Sequence, residues 1–135
     1  MSKPTAAVHP NLLLLERLGN HFPHELDEVG DLISEDFVFH YFNSRVPELN
    51  GDYKGLPGLK NFFQKLGALT RGSFNNTDKQ LIHCGDELVV TQAIHNMTVD
   101  GGSFETDAVV IWRVVDDRFV EAWDIPAVNT IRPTA

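Results

Sequence analysis

Cysteine is nearly missing from this chain: Cys84 is the only one in 135 residues. That excludes an internal disulfide framework and any cysteine-rich zinc site, and it fits a reducing compartment. Positive charge is scarce as well. The 11 Lys and Arg stand against 19 Asp and Glu, for a formal charge of −8 at pH 7, which is the wrong sign for attracting a phosphate backbone and excludes nucleic acid as a partner. No apolar run approaches the roughly 20 residues that a bilayer span requires, so no membrane partner is expected. Met1–Val8 lacks the basic-then-apolar order of a secretory signal, and a cytoplasmic location is the expectation. There is no repeat, no serine in a nucleophile-elbow context and no glycine-rich loop leading from a strand into a helix. His9, His21, His24 and His83 have no metal-ligand spacing, so neither a metal nor a cofactor is expected.

What is present suffices for one core. Hydrophobic residues make up 42% of the chain and nine of them are Phe, so residues 1–135 read as a single domain. Pro10 opens a helical pattern through Leu12, Leu15 and Leu18 to Gly19-Asn20. After Pro23, the acids Glu25, Asp27 and Glu28 suit the positive end of a second helix, in which Leu26, Val29 and Ile33 recur at three and four residues. Phe37-Val38-Phe39-His40-Tyr41-Phe42 reads as a buried strand and Gly51 to Pro57 as loop. A third helix from Leu59 carries Phe62, Phe63, Leu66 and Leu69 on one face, with Phe63 and Leu66 expected under the sheet. From residue 74 the chain is β, in segments near 74–84, 87–100, 103–115 and 118–125 separated by Gly85-Asp86, Gly101-Gly102 and Asp116-Asp117. Helices first and an antiparallel meander after them make an α+β plan, with the helices on one face of the sheet.

Hairpin register decides which side chains share a face. A two-residue Gly101-Gly102 turn sets His95 opposite Ala108, Ala93 opposite Val110 and Thr91 opposite Trp112. The last hairpin has two solutions. A loop of Val115-Asp116-Asp117 sets Ala108 opposite Asp124, whereas a two-residue Asp116-Asp117 turn sends Asp124 to the other face. The longer loop is preferred because it puts Asp124 in phase with Val120 and Ala122, beside Val110 and Trp112, on a face that is otherwise apolar. His95, Ala108 and Asp124 then form one row, its ends about 10 Å apart across three strands. A carboxylate on such a face needs a partner or a purpose. The opposite face carries a second apolar row of Ile94, Val109 and Trp123, with Ile111 and Phe119 near it, and an isologous homodimer through that outer face is expected.

The residues that form this pattern resemble a known group. Trp112-Arg113-Val114-Val115-Asp116-Asp117-Arg118-Phe119-Val120-Glu121-Ala122-Trp123-Asp124-Ile125 is similar to a motif of the SnoaL-like polyketide cyclase branch of the nuclear-transport-factor-2-like superfamily, which includes ketosteroid isomerase and limonene epoxide hydrolase. Tyr53 to Phe63 is similar to its glycine-led third helix, and Thr91-Gln92-Ala93-Ile94-His95 to the strand on which the cyclases carry a histidine. The resemblance implies a conical fold: three helices closing a pocket formed by a curved, mainly antiparallel sheet. It also implies that Asp124 is the acid/base and that His95 shares its pocket. The family's Glu-His-Trp-Asp is here Glu121-Ala122-Trp123-Asp124, and Asp117 replaces the turn glycine. The isomerase's base and oxyanion-stabilising positions fall near Tyr41 and Val110, and Arg113 is expected on the face away from Asp124, so neither of those mechanisms transfers.

The resulting expectation is an acid/base enzyme acting on an apolar, oxygenated small molecule by cyclisation, isomerisation or dehydration. Asp124 and His95 are its catalytic residues. His40, Phe39, Tyr41, Phe62, Val110, Trp112 and Ala122 bind substrate, with His40 as the alternative to His95 for holding a developing oxyanion. The same superfold also hosts carriers and assembly domains, so a non-catalytic binding module is the other reading.

Overall fold

The computed structural model describes residues 8–134. Pro10 opens helix α1 (Pro10–Gly19), and the His9 ring caps it by accepting a hydrogen bond from the Asn11 amide at 3.1 Å. The second helix is of the 3-10 type rather than α, over Leu26–Leu32. The reason is visible in its buried residues, Leu26, Val29 and Leu32, which recur at intervals of three. Strand β1 (Ile33–Tyr41) follows, then a 3-10 turn at Pro47–Leu49. The stretch expected as loop after Gly51 instead forms the short strand β2 (Gly51–Lys54) and runs directly into helix α2 (Gly55–Thr70). At Gly58 a Cβ would lie 2.7 Å from the Tyr53 backbone, so glycine is what lets α2 settle onto β2. Arg71 and Gly72, both with positive φ, end α2.

The remaining strands are β3 (Asn75–Cys84), β4 (Leu88–Val99), β5 (Gly102–Val115), β6 (Arg118–Pro126) and the short β7 (Arg132–Pro133), which pairs with β5. The sheet order is β2-β1-β6-β5-β4-β3, antiparallel throughout except where β1 runs parallel to β6. The helices lie against one face of this curved sheet, as the α+β reading expects. Phe37, Phe119, Leu18, Leu59 and Val89 are sealed in the core between the two layers. The edge strand β3 is exposed on both faces over most of its length. Among the described residues, no helix is long and apolar enough to cross a membrane.

Both hairpin registers differ from expectation. The β4–β5 turn is Asp100-Gly101, both residues left-handed (φ 51° and 82°), so Val99 pairs with Gly102. Aspartate followed by glycine suits such a turn better than Gly101-Gly102, because aspartate tolerates the left-handed region and glycine adopts it freely. The slip is two residues, so His95 faces Thr106, Ala93 faces Ala108 and Thr91 faces Val110. An even slip leaves every side chain on its expected face.

The last hairpin turns tightly at Asp116-Asp117, again with two positive φ values (52° and 60°). That turn alone would carry Asp124 to the outer face. A β-bulge corrects the phase: Val114 pairs with Phe119 but Arg113 with Glu121, leaving Val120 as the surplus residue. Phe119 therefore points into the core, fully buried, rather than joining the outer row, while Ala122 and Asp124 also face inward. The outer row is also out of line with expectation, since Ile94 pairs with Asp107, Val109 with Ile125 and Ile111 with Trp123.

On α2 the core positions are Leu59, Phe62 and Leu66; Phe63, expected under the sheet, is only half-buried at the cavity wall. Phe62, 2% exposed, packs against Phe39, Tyr41 and Tyr53 at 4.8–5.2 Å between ring centroids. Phe62→Ala should therefore lower the unfolding free energy by about 3–5 kcal/mol, whereas Phe63→Ala should cost less than half of that. Equilibrium denaturation of the two variants checks the ranking, and the reverse order would mean that the helix is rotated.

Candidate functional site

A cavity of about 390 Å³ lies between the sheet and the helices. Alternation along β1 turns Phe39 and Tyr41 into it, alternation along β5 turns Val110 and Trp112 into it, and α2 contributes Phe62, Phe63 and Leu66. Asp124 reaches it from β6, and Thr91 and His95 reach it from β4. Its walls are thus mainly aromatic and aliphatic. Phe74, Asn75, Asn76 and Asp78 extend the lining toward edge strand β3. These last residues read in the sequence only as strand or turn, because nothing in a polar edge segment signals that it borders a cavity.

Asp124 is the unusual group in this setting. Its Oδ1 is buried and has no hydrogen-bond partner, and burial raises the carboxyl from its ordinary 3.8 to about 7. The residue as a whole is half-buried, because it also borders a shallower groove at the strand ends. Tyr41 lies beside it in the parallel β1–β6 pairing. Burial first, and then the Asp124 charge, push the Tyr41 phenol up to about 12, so it stays protonated and neutral. Its oxygen accepts a hydrogen bond from Asn43 Nδ2 at 3.1 Å.

His95 lines the same cavity with its ring edge-to-face on Phe74 at 5.1 Å between centroids. Burial lowers its pKa to about 4, outweighing the opposing influence of Asp78, so the imidazole is neutral near pH 7. The expected row through Ala108 does not form. Asp124 stands opposite Val110 and His95 opposite Thr106, four positions apart on β5, or about 13 Å along the strand. The row that does form is Tyr41, Asp124, Val110 and Thr91.

Two other expected positions fall outside the cavity. His40 alternates to the outer face, where its two ring nitrogens each meet a carboxylate at 2.7 Å, Asp52 and Glu121, and its ring stacks on Trp123 at 5.5 Å. Burial pulls its pKa down, but the two carboxylates outweigh that and leave it raised. Glu121 also meets Arg113, which bonds Glu87 in turn. Arg113 thus sits on the face away from Asp124, as expected. Ala122 is fully buried and does not line the cavity; it sits between Phe39 of β1 and Trp112 of β5, whose side chains are far larger than its methyl group. Phe39, Tyr41, Phe62, Val110 and Trp112 all line it. Among the described residues, no cluster of three or more His, Cys, Asp or Glu is placed to hold a metal ion.

A curved, mostly antiparallel sheet covered on one face by helices is the NTF2-like fold. The chain belongs to the SnoaL-like domain family, whose pattern matches residues 17–122. An NTF2-like protein of unknown function from Burkholderia pseudomallei superposes with a TM-score of 0.78 at 18% identity, covering 90% of this chain and 94% of that one. Wild-type IdmH, a candidate polyketide cyclase from Streptomyces antibioticus, gives 0.69 at 23% identity, with 91% and 95% covered. TerC, co-crystallised with polyporic acid, gives 0.76 at 18% identity, with 89% and 93% covered. At these identities the likeness shows the fold. No match is found among curated proteins.

The raised Asp124 pKa has a consequence for stability. In the unfolded chain the carboxyl ionises near 3.8, and in the folded chain near 7. Below pH 4 it is protonated in both states and costs nothing; stability falls as pH rises from 4 to 7, and above 7 the full penalty applies, roughly 4 kcal/mol. Asp124→Asn should therefore be more stable than the wild type at pH 8, with the gap closing toward pH 4. Unfolding curves of both proteins across that range check the slope; a gap independent of pH would mean that the carboxyl is hydrated.

Proposed function

We propose that the chain is an acid/base enzyme for an apolar, oxygenated small molecule, with Asp124 taking and returning a substrate proton. The observation that supports this is the unpartnered Asp124 carboxyl in an apolar cavity, with a pKa of about 7. A group that titrates near working pH is present in both protonation states, as moving a proton from one substrate atom to another requires. Cyclisation, isomerisation and dehydration all consist of such transfers. His95, neutral and about 13 Å along the strand from Asp124, is assigned a hydrogen bond to the distant part of an elongated ligand rather than to the reacting atoms. IdmH, a candidate cyclase, and TerC, crystallised with polyporic acid, make a small organic ligand a natural occupant for this fold.

The reading also includes a homodimer through the outer sheet face. Val109, Ile111 and Trp123 are half-buried there and Ile125 is 50% exposed, among side chains of both signs, Arg113 and Arg132 beside Asp107 and Glu121. A two-fold arrangement would cover the apolar side chains without requiring new partners for charges already paired within the chain. Sedimentation at micromolar concentration should give a species of twice 15.1 kDa, and a 15.1 kDa species would refute the assignment.

The catalytic test is Asp124→Asn, which keeps side-chain volume and removes the proton acceptor. Turnover of substrates found by screening small polyketide-like and terpenoid ketones should fall by about 10²–10⁴, with a much smaller change in ligand affinity. Undiminished turnover would leave the fold as a binding module.

A further inference from the structure

Outside the inner cavity, His40 has the most demanding surroundings. It stands on the outer face of β1, between β2 and β6, and each ring nitrogen lies 2.7 Å from a carboxylate oxygen: Nδ1 from Asp52 on β2, and Nε2 from Glu121 on β6. Ionised carboxylates accept hydrogen bonds and cannot donate them, so both nitrogens must carry protons. The ring in this arrangement is an imidazolium. A neutral imidazole has one N–H, and its bare nitrogen would then face an anionic oxygen at a distance that only a hydrogen bond allows. The charged groups packed around it are Asp52 from β2, Glu121 from β6 and, behind Glu121, Arg113 from β5. Trp123 lies between the two cations, with His40 stacked on its ring at 5.5 Å and the Arg113 guanidinium 5.4 Å from its centroid.

The two carboxylates are not equally free to leave. Glu121 is also held by Arg113, at 3.4 Å, and its side chain is 32% exposed; Asp52 has no second cation among the described residues and is 65% exposed. Loss of one proton from His40 therefore keeps Glu121 in place and lets Asp52 turn into water. What Asp52 holds is the edge of the sheet. β2 has four residues, pairs with β1 and buries a single side chain, Tyr53. It passes without a linker into α2 at Gly55, and Tyr53 packs edge-to-face on Phe62 of that helix at 5.2 Å. The Asp52–His40 tie thus sits at the root of the helix that supplies Phe62, Phe63 and Leu66 to the cavity.

We propose that His40 is a charge-dependent clasp. Protonated, it ties β2 to β1 and β6 and so steadies the α2 wall of the cavity; deprotonated, it releases Asp52, and β2 and the start of α2 loosen. The pH window follows from the surroundings of the ring. Burial lowers the His40 pKa, but the two carboxylates outweigh it and hold the folded value above the ordinary 6.5. The clasp therefore contributes fully below pH 6.5, and its contribution is lost as pH rises through the higher folded value. None of this depends on what Asp124 does in the cavity.

NMR titration of the full chain bearing Asp124→Asn tests the clasp, because that substitution removes an inner carboxyl whose own titration near 7 would move some of the same signals. At pH 7 the 15N signals of the His40 ring should be those of an imidazolium. As the pH is raised, His40 should titrate with a midpoint above 6.5, and the Asp52 carboxyl carbon and the Leu59 and Leu66 methyls of α2 should move with that same midpoint. The Leu15 methyls of α1 should stay still. Asp52→Asn in the same background should lower the His40 midpoint and hold the α2 methyls near their high-pH positions throughout. At pH 7 its β2 amides should exchange about two- to fivefold faster than those of the parent, the size expected of a partly exposed ion pair. Asp52 is exposed, and the titration of the parent carries the test if the double variant does not fold. A neutral His40 ring at pH 7, α2 methyls that ignore the His40 titration, an unchanged His40 midpoint in Asp52→Asn, or movement of the Glu121 carboxyl signal without that of Asp52 would overturn the proposal.

Discussion

One surplus residue in β6 determines which chemistry the sheet can hold. Side chains alternate across a strand with a period of two, so the tight Asp116-Asp117 turn would by itself place Asp124 in solvent. The bulge at Val120 reverses that parity, burying Phe119 and Ala122 on the same side as Asp124. Phe119 then packs edge-on to Trp112 at 5.1 Å between centroids, and the indole is held against the cavity wall. The carboxylate, its aromatic surroundings and the outward Glu121–Arg113 pair all follow from that one irregularity.

Once inside, the carboxylate meets a cost that the fold does not relieve. A structural aspartate would have an arginine or several amide donors, whereas Asp124 Oδ1 has neither. The contrast within the same sheet is instructive. One residue before Tyr41, the partner of Asp124 on β1, the outer face provides His40 with two carboxylates, and it provides Glu121 with Arg113, so its charges are paired and partly hydrated. The inner face keeps its acid alone. Natural proteins retain such conflicts between local stability and packing chiefly where they serve a function.

Much of the architecture is legible in the sequence. α1 has a proline at its first turn, the four long β segments are punctuated by turn residues, and the division of β4 and β5 into inner and outer faces survives a two-residue register error because the slip is even. Rows are less legible than faces. Asp100-Gly101 and Gly101-Gly102 are both acceptable turns, and only their competition in the folded hairpin selects one; that slip and the equal slip between β5 and β6 together separate His95 from Asp124. The bulge has no glycine to announce it, so Asp124 is placed correctly from the apolar phase of its neighbours while the loop assumed to produce that phase is not the one found. His40 is misplaced for a different reason. In the run Phe37 to Phe42 nearly every residue is apolar or aromatic, which masks the alternation that turns Phe39 and Tyr41 inward and His40 outward. β2 is missed because four residues that alternate weakly, three of them exposed, look like loop.

The open edge of the sheet ties two properties together that are usually separate. Among the described residues β3 has no strand on its far side, yet its polar run Asn75-Asn76-Thr77-Asp78-Lys79-Gln80 and the irregularity between Asp78 and Gln80 make it a poor template for another chain's strand. Asn75, Asn76 and Asp78 of that run also border the cavity. The residues that border the cavity at this rim are therefore the same ones that make the edge a poor template. Apolar side chains placed there to widen the rim would also make the edge stickier, so the shape of the cavity mouth and the colloidal behaviour of the chain are set by the same few positions.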